Sequence, residues 1–296
     1  MLRRKLPSPR TSSGRAIRRR LDVDLVRRGL AGSRAQAADL IARGLVLVSG
    51  TLASAPARLV DPAEPVVISG PAPRFVGRGG EKLDAALVTF DIEVAGRRAL
   101  DAGSSTGGFT DCLLQRGVAE VVAVDVGRGQ LHPRLRSDPR VRALERTDIR
   151  QLGSLGHGTF DFVAADLSFI SLRSVARDLV AAASGGADMV LLVKPQFEVG
   201  RAAASRGKGV ITEPALWEQA VVEVGAAYES LGATMMEVMV SPLRGAAGNV
   251  EFLVHLQAHS PHVVAEAPAP ALPERIGLPA ALAAAVSLAS PLATEA

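Results

Sequence analysis

The chain has 296 residues, 48% of them hydrophobic, and a single cysteine, Cys112. That length suits one α/β domain with a smaller module; the composition excludes wholesale disorder, and one cysteine excludes an internal disulfide framework or a cysteine-rich zinc site. The net charge of +4 hides an asymmetry, because residues 1–80 carry 15 Lys+Arg against 5 Asp+Glu while residues 81–296 carry 19 against 25. A basic amino-terminal part ahead of a mildly acidic body points to a polyanion partner, most simply nucleic acid.

Residues 1–17 mix Pro, Ser and Arg without periodicity and read as a disordered basic tail. They hold no apolar h-region, so no secretory signal is expected. From residue 18 the pattern changes. RRRLDVDLVRRGL sets Leu21, Leu25 and Val26 on one helix face and arginines on the other, and Gly29 or Gly32 ends the helix. Ser33 caps a second helix through SRAQAADLIARG, with Ala37, Leu40 and Ile41 inward and Gly44 just past its end. LVLVSGTLA reads as strand, turn, strand, and the module closes near VVISG at 66–70. These segments resemble the S4 RNA-binding domain. The resemblance implies a small α+β domain over 18–70 whose helix pair offers Arg27, Arg28, Arg34 and Arg43 to RNA. Arg forks suit that task, since they pair phosphate oxygens bidentately without reading sequence. Ordinary exposed helix arginines are the alternative reading.

Residues 71–80, PAPRFVGRGG, are rich in Pro and Gly and read as an interdomain linker, with Arg74 and Arg78 as further RNA-facing candidates. A helix then starts near Glu81. Strands follow at 99–104, 120–127, 141–144, 160–168, 188–195, 234–242 and 249–256, with helices at about 107–116, 170–183 and 213–232. Near-continuous apolar strands alternating with helices predict a mostly parallel sheet covered on both faces. The expected fold over 81–258 is therefore α/β, doubly wound and Rossmann-like. Ile276 to Thr294 is uncharged, but Pro279 and Pro291 interrupt it and its middle is mainly Ala, so no membrane span is expected. Residues 259–296 read as an Ala/Pro-rich tail, disordered or loosely helical. An unpaired Cys112 makes the cytoplasm the default compartment.

DAGSSTGGFTD, from Asp101 to Asp111, follows a buried strand and opens a helix, where a doubly wound sheet binds its ligand. Gly103 lets the turn form, and Gly107 and Gly108 let the backbone approach a ligand at the helix N-terminus. The spacing is not GxGxxG, which disfavours a nicotinamide cofactor. A carboxylate at Asp101 disfavours a pyrophosphate beside it and suits a cofactor with a cationic amino-acid end. Asp125, at the end of the second strand, can accept both ribose hydroxyls of an adenosine. These features resemble the S-adenosylmethionine site of class I methyltransferases. The resemblance adds Ser104 and Phe109 to the cofactor-binding set, with Asp148 as the adenine neighbour. For Asp148 a helix cap is the competing reading.

The position after the fourth strand reads Asp166-Leu167-Ser168-Phe169, without the Pro-Pro of base amino-methylases. Carbon-5 cytosine methylation needs a cysteine nucleophile, and Cys112 reads as a small buried apolar residue instead. What remains is a polar set: Lys82 after the linker, Asp166 ending strand four, Lys194 ending strand five, and Glu251 on the last strand. A lysine flanked by carboxylates can be held and tuned to act on a ribose 2′-hydroxyl. This Lys-Asp-Lys-Glu order resembles the tetrad of RrmJ/FtsJ-type ribose 2′-O-methyltransferases. With RFVGRGGEKL, DAGSSTGGFTD, DLSFISL, VKPQFEVG and SPLRGAAGNVEFL, the chain resembles the TlyA family over about residues 18–256. That resemblance implies S-adenosylmethionine-dependent 2′-O-methylation of cytidine in ribosomal RNA within ribosomal subunits. It also implies a catalytic tetrad in which Asp166 and Glu251 hold Lys194 and Lys82 positions the ribose or phosphate. Gly77 departs from the family pattern, where Ser is expected. Extra helix in GRAIRRRLDVDL resembles members that modify both 16S and 23S RNA. No metal is expected, because the five histidines are scattered. The rivals are an S4-type RNA-binding or assembly protein with a vestigial cofactor fold, and a membrane-active haemolysin, after the family's historical name.

Overall fold

The computed structural model describes residues 18–32, 34–70, 73–200, 209–245, 248–259 and 278–289. It divides into two compact units, Met1–Ala72 and Pro73–Ala296. The basic segment 1–17 and the Ser33 cap lie outside the described residues.

The first unit contains β1 (Arg19–Arg20), α1 (Leu21–Arg27), α2 (Arg34–Ala42), β2 (Val46–Val48), β3 (Thr51–Leu52), β4 (Leu59–Val60) and β5 (Val66–Ile68). Strand β2 pairs antiparallel with β3 and β5, and β1 with β4. Leu21, Leu25, Ala37, Leu40 and Ile41 pack against Val46, Val48 and Val60, on the faces their helical spacing predicts. The β1–β4 pair was not anticipated, because two-residue strands carry no readable period.

Two buried acids organise the arginines of this unit. Arg20 holds the Asp22 carboxyl down to about 2, against the cost of burial, and Arg34 adds to the effect. Asp24 accepts from Arg27 at 3.0 Å and from Arg28 at 2.5 Å. Arg28 also donates to the carbonyls of Glu64 and Pro62 at 2.8 and 3.2 Å. Its expected place facing RNA is thus corrected: Arg28 is an internal strut tying α1 to the β4–β5 loop. Arg28→Ala is expected to destabilise the first unit by about 2 kcal/mol, since buried Asp24 and the two carbonyls lose a donor. Thermal unfolding of the full chain should show that loss, while RNA affinity of the folded protein stays within about twofold.

The second unit contains α3 (Gly79–Thr89), β6 (Arg98–Ala102), α4 (Gly108–Gln115), β7 (Glu120–Asp125), α5 (Pro133–Arg136), β8 (Val141–Glu145), β9 (Phe160–Ala165), α6 (Ala176–Ala182), β10 (Ala183–Val193), α7 (Pro195–Glu198), α8 (Pro214–Glu229), β11 (Ala233–Val240), β12 (Phe252–Ala258) and α9 (Leu278–Ala289). One seven-stranded sheet runs in the order β8-β7-β6-β9-β10-β12-β11. The first five strands are parallel, and β12 is antiparallel to both its neighbours. Alternate side chains feed two cores. Leu100, Val122, Val163 and Leu191 meet Leu179, Trp217 and Val221 on one face. Ala99, Val121, Phe162 and Val190 meet Leu83, Leu87 and Leu113 on the other. That two-sided burial is why the strands read as continuous apolar runs. Sequence-adjacent β6 and β7 lie side by side, while β9 returns on the other side of β6. The crevice at this reversal, beyond the carboxyl ends of the strands, is the expected ligand position.

One expectation about the connections is corrected. From Pro73 onward the presumed linker belongs to the second unit: Phe75 and Val76 are buried in its core, and the Val76 N–H donates to Asp111 Oδ2 at 2.8 Å. Within the carboxy-terminal tail, residues 278–289 form α9, the helical of the two alternatives expected there, with Ala281 buried in the core. Pro279 starts this helix instead of breaking it, since the first helical turn needs no N–H from that residue.

Candidate active site

The loop between β6 and α4 begins as the spacing predicts. Gly103 has φ +87°, and a Cβ there would lie 2.6 Å from the Asp166 carbonyl oxygen, so this glycine lets β6 and β9 end side by side. Gly107 and Gly108 also answer to packing. A Cβ on Gly107 would strike Leu135 and Leu131, and one on Gly108 would lie 2.9 Å from the Gly80 nitrogen. Their bareness lets α5 and the start of α3 close around the loop. Gly77, the departure from the family pattern, sits against the same loop, where a Cβ would meet Thr106 Oγ1 at 2.9 Å. Phe109 is buried in the core beside α3 and offers no ring to a ligand.

Asp101 is wholly buried. Thr110 Oγ1 donates to its Oδ2 at 2.5 Å, while Oδ1 has no partner. Burial pushes this carboxyl up to about 7, and Thr110 works in the opposite direction. An orphaned acceptor under the glycine loop fits a cationic cofactor end, either directly or through a bridging water. Asp125 ends β7 as expected. It accepts the Ser105 N–H at 2.8 Å and the Gly127 N–H at 2.6 Å. A carboxylate has roughly four acceptor positions, so ribose hydroxyls can still be received there. Beside it lies a small cleft lined by Ser104, Ser105, Asp125, Gly127, Leu144 and Glu145, among others. Asp148 does not line this cleft. It caps the short 3₁₀ helix Ile149–Leu155 and pairs with Arg150, which holds its carboxyl down to about 2. For this residue the cap describes the structure.

The four tetrad candidates come together at the carboxyl edge of the sheet as two ion pairs. Lys82, from the first turn of α3, is paired with Glu251, which immediately precedes β12. Both are buried. Lys194, at the end of β10, lies 2.6 Å from Asp166 Oδ1. The expected pairing is therefore corrected: Glu251 holds Lys82, and the second partner of Lys194 is Ser168, whose Oγ accepts at 2.8 Å. Because β12 runs antiparallel to β10, with Phe252 opposite Val193, Glu251 lies at the same carboxyl edge as Lys194.

Sequence reasoning passed over two residues here. Ser168 is the first. Phe169 is the second: it is 91% exposed, has φ +65°, and its ring centroid is 5.5 Å from that of Phe197. A phenylalanine in the left-handed region costs of order 1–3 kcal/mol, and such strain clusters at working sites. The sequence signal is DLSF itself, read above as a family motif and as lacking Pro-Pro, without a role for Ser168 or Phe169.

The remaining candidates are described in their own units. Arg27 and Arg34 present half-exposed or exposed side chains anchored by Asp24 and Asp22. Arg43 lies near Asp39. Arg74 is paired with Asp84 and stacks over the Phe75 ring, so it is held by its own unit. Arg78 is exposed just before α3. Cys112 is fully buried, and burial pushes its thiol up to about 12, as suits a packing residue. Among the described residues no group of three His, Cys, Asp or Glu side chains is placed to hold a metal. Among them, too, no helix is long and apolar enough to cross a membrane.

Comparison with known proteins places these features. A family model for FtsJ-like methyltransferases matches residues 75–258, and an S4-domain model matches residues 19–66. The 16S/23S rRNA (cytidine-2′-O)-methyltransferase TlyA of Mycobacterium tuberculosis is 49% identical over 248 residues, covering 83% of this chain and 92% of the relative. Hemolysin A of Brachyspira hyodysenteriae is 34% identical over 238 residues, 80% of this chain and 98% of the relative. A solved structure of a hemolysin-named protein from Streptococcus thermophilus superposes with a TM-score of 0.71 at 34% identity, over 92% of this chain and 96% of that one. An S4 module ahead of an FtsJ-like domain, over nearly the whole length of these relatives, leaves one assignment: the chain belongs to the TlyA family of methyltransferases.

Proposed function

We propose that the protein transfers the methyl group of S-adenosylmethionine to the 2′-hydroxyl of cytidine in ribosomal RNA, and that both 16S and 23S RNA are substrates. The observation that carries this reading is the paired tetrad, Lys82–Glu251 and Lys194–Asp166, at the strand ends beside the glycine loop. The relatives named for this reaction support the substrate class. In this reading the first unit binds folded rRNA through phosphates and shape, with Arg27, Arg34 and Arg43 as its contacts and Arg78 adding to them. Exposed Phe169 offers an apolar face for the target base once it is drawn out of its stack.

Asp101, Ser104 and Asp125, with the Gly103–Gly108 backbone, are the residues that would hold the cofactor. Bound there, S-adenosylmethionine supplies an electrophilic methyl group. The chain's own residues must then align and activate the 2′-oxygen. Lys194 has three N–H donors; one goes to Ser168, and the ammonium is ion-paired with Asp166. A remaining N–H is left to hold the 2′-oxygen in line. The Asp166 carboxylate beside that ammonium accepts the hydroxyl proton as the oxygen attacks. Lys82, fixed by Glu251, places a positive charge where a ribose or phosphate oxygen can be positioned. Alignment supplies much of the acceleration.

The test is incubation with tritium-labelled S-adenosylmethionine and unmodified 30S and 50S subunits, followed by digestion to nucleosides. Label in 2′-O-methylcytidine from both subunits is expected. Cofactor binding without label would favour an RNA-binding protein with a vestigial site, and no cofactor binding would overturn the reading.

The raised Asp101 carboxyl gives a separate expectation. Folding takes up a proton there between about pH 4 and about pH 7, so its contribution to stability falls as pH rises through that window. A cation bound beside it favours the ionised form. Cofactor binding should therefore release a proton below about pH 7 and tighten as pH rises from about 6 to about 8. Calorimetry in two buffers of different ionisation heat reads the proton, and Asp101→Asn should flatten the dependence.

A further inference from the structure

Two loops make the catalytic edge, the one after β9 and the one after β10, and they are joined at three successive points. Lys194 Nζ donates to Ser168 Oγ at 2.8 Å and pairs with Asp166 at 2.6 Å. One turn on, the Phe197 ring lies against Phe169. Next comes Glu198, 2% exposed, which accepts from Ser171 Oγ at 2.5 Å and from the Leu172 N–H at 2.8 Å. Arg173 closes the joint, donating to the Glu198 carbonyl at 2.6 Å and to Glu223 on α8 at 2.5 Å. The segment from Asp166 to Arg173 is thus buttoned along the segment from Lys194 to Glu198.

We propose that Ser168 is a further positioning residue for methyl transfer, the second acceptor that fixes the direction of the Lys194 ammonium, and that the Glu198–Arg173 joint holds it in place. A lysine is a flexible point charge on a four-carbon stem. One carboxylate restrains its distance but not its direction, because the ammonium can pivot about that single contact. A second acceptor on the same loop removes the pivot and leaves one N–H with one heading. Ser168 itself is exposed. Its oxygen accepts from Lys194, so its own O–H is available to an oxygen of the incoming nucleotide. Ser168 touches Lys194 and is not among the residues assigned to hold the cofactor, so its effect is expected in the transfer step and at the acceptor.

The inference rests on the 2′-O-methyltransferase reading above, and the experiment separates the two. Wild type, Ser168→Ala, Ser168→Thr and Glu198→Gln are compared in the subunit assay, with calorimetric titration of S-adenosylmethionine for each. Ser168→Ala is expected to lower kcat by about 10- to 100-fold, the size of a lost charge-assisted contact that sets alignment. Its cofactor affinity should equal that of wild type, and its KM for subunits should change by less than about threefold. Ser168→Thr, which keeps the hydroxyl, should restore most of kcat, and Glu198→Gln should lower kcat with the same KM pattern. A Ser168→Ala enzyme with wild-type kcat, or a Ser168→Thr enzyme as slow as Ser168→Ala, would overturn the proposal while the function reading stands. A wild-type protein that binds cofactor but yields no 2′-O-methylcytidine would overturn the function reading and this proposal with it.

Discussion

Lys194→Ala is expected to lower methyl transfer by at least about 10³-fold, with rRNA binding nearly unchanged. The residue ends β10, and its ammonium is held between Asp166 and Ser168. Removing it takes the lysine out of that cradle and leaves a partly exposed carboxylate, which water can solvate. Little fold stability should therefore be lost. Filter binding to subunits and single-turnover transfer, measured on the same preparation, separate the two properties. A variant that transfers at the wild-type rate would remove Lys194 from the mechanism, and one that no longer binds subunits would place it in recognition instead.

Lys82 and Glu251 should respond in another way, because both are buried. Replacing one partner strands the other charge away from water. Lys82→Met, or Glu251→Leu, is expected to cost about 3–5 kcal/mol and to lower the melting temperature by roughly 10 °C. The double variant Lys82→Met/Glu251→Leu should be more stable than either single variant, since it removes the stranded charge. It should remain inactive if Lys82 positions the substrate. A double-mutant cycle of unfolding free energies, with activity measured alongside, reads both effects. Strict additivity in stability would mean that the pair is not coupled as its geometry requires. Recovery of activity in the double variant would reduce the pair to packing.

Much of this architecture was legible along the chain. The seven apolar runs became the seven strands of one sheet, and their lack of alternation foretold helices on both faces. Asp101, Gly103 and Asp125 sit where a strand-loop-helix reading places them, because a turn between a buried strand and a helix constrains only its own few residues. The four tetrad residues also converge. Their partners did not follow from the sequence. Lys194 was matched to Glu251, yet Ser168 takes that place and Glu251 pairs with Lys82, 169 residues away in the chain. Gly107 and Gly108 read as room for a ligand; that they also make room for Leu135 and Gly80 depends on neighbours distant in sequence.

The arginines teach the same lesson at the surface. Arg27 and Arg28 are neighbours on one helix and looked equivalent. One side chain is about half exposed, while the other is drawn inward by Asp24 and by carbonyls 34 and 36 residues away. Sequence by itself determined the features that arise within a few residues: the hydrophobic period of each element, the glycine at the strand end, the acid closing the second strand. It also carried the family's motifs, and with them the candidate chemistry. Tertiary structure decided which charged groups pair, which glycines serve packing, and which polar residues stay exposed beside the catalytic pair. Those outcomes depend on strand order and on contacts between residues far apart in the chain, and local propensity carries no record of either.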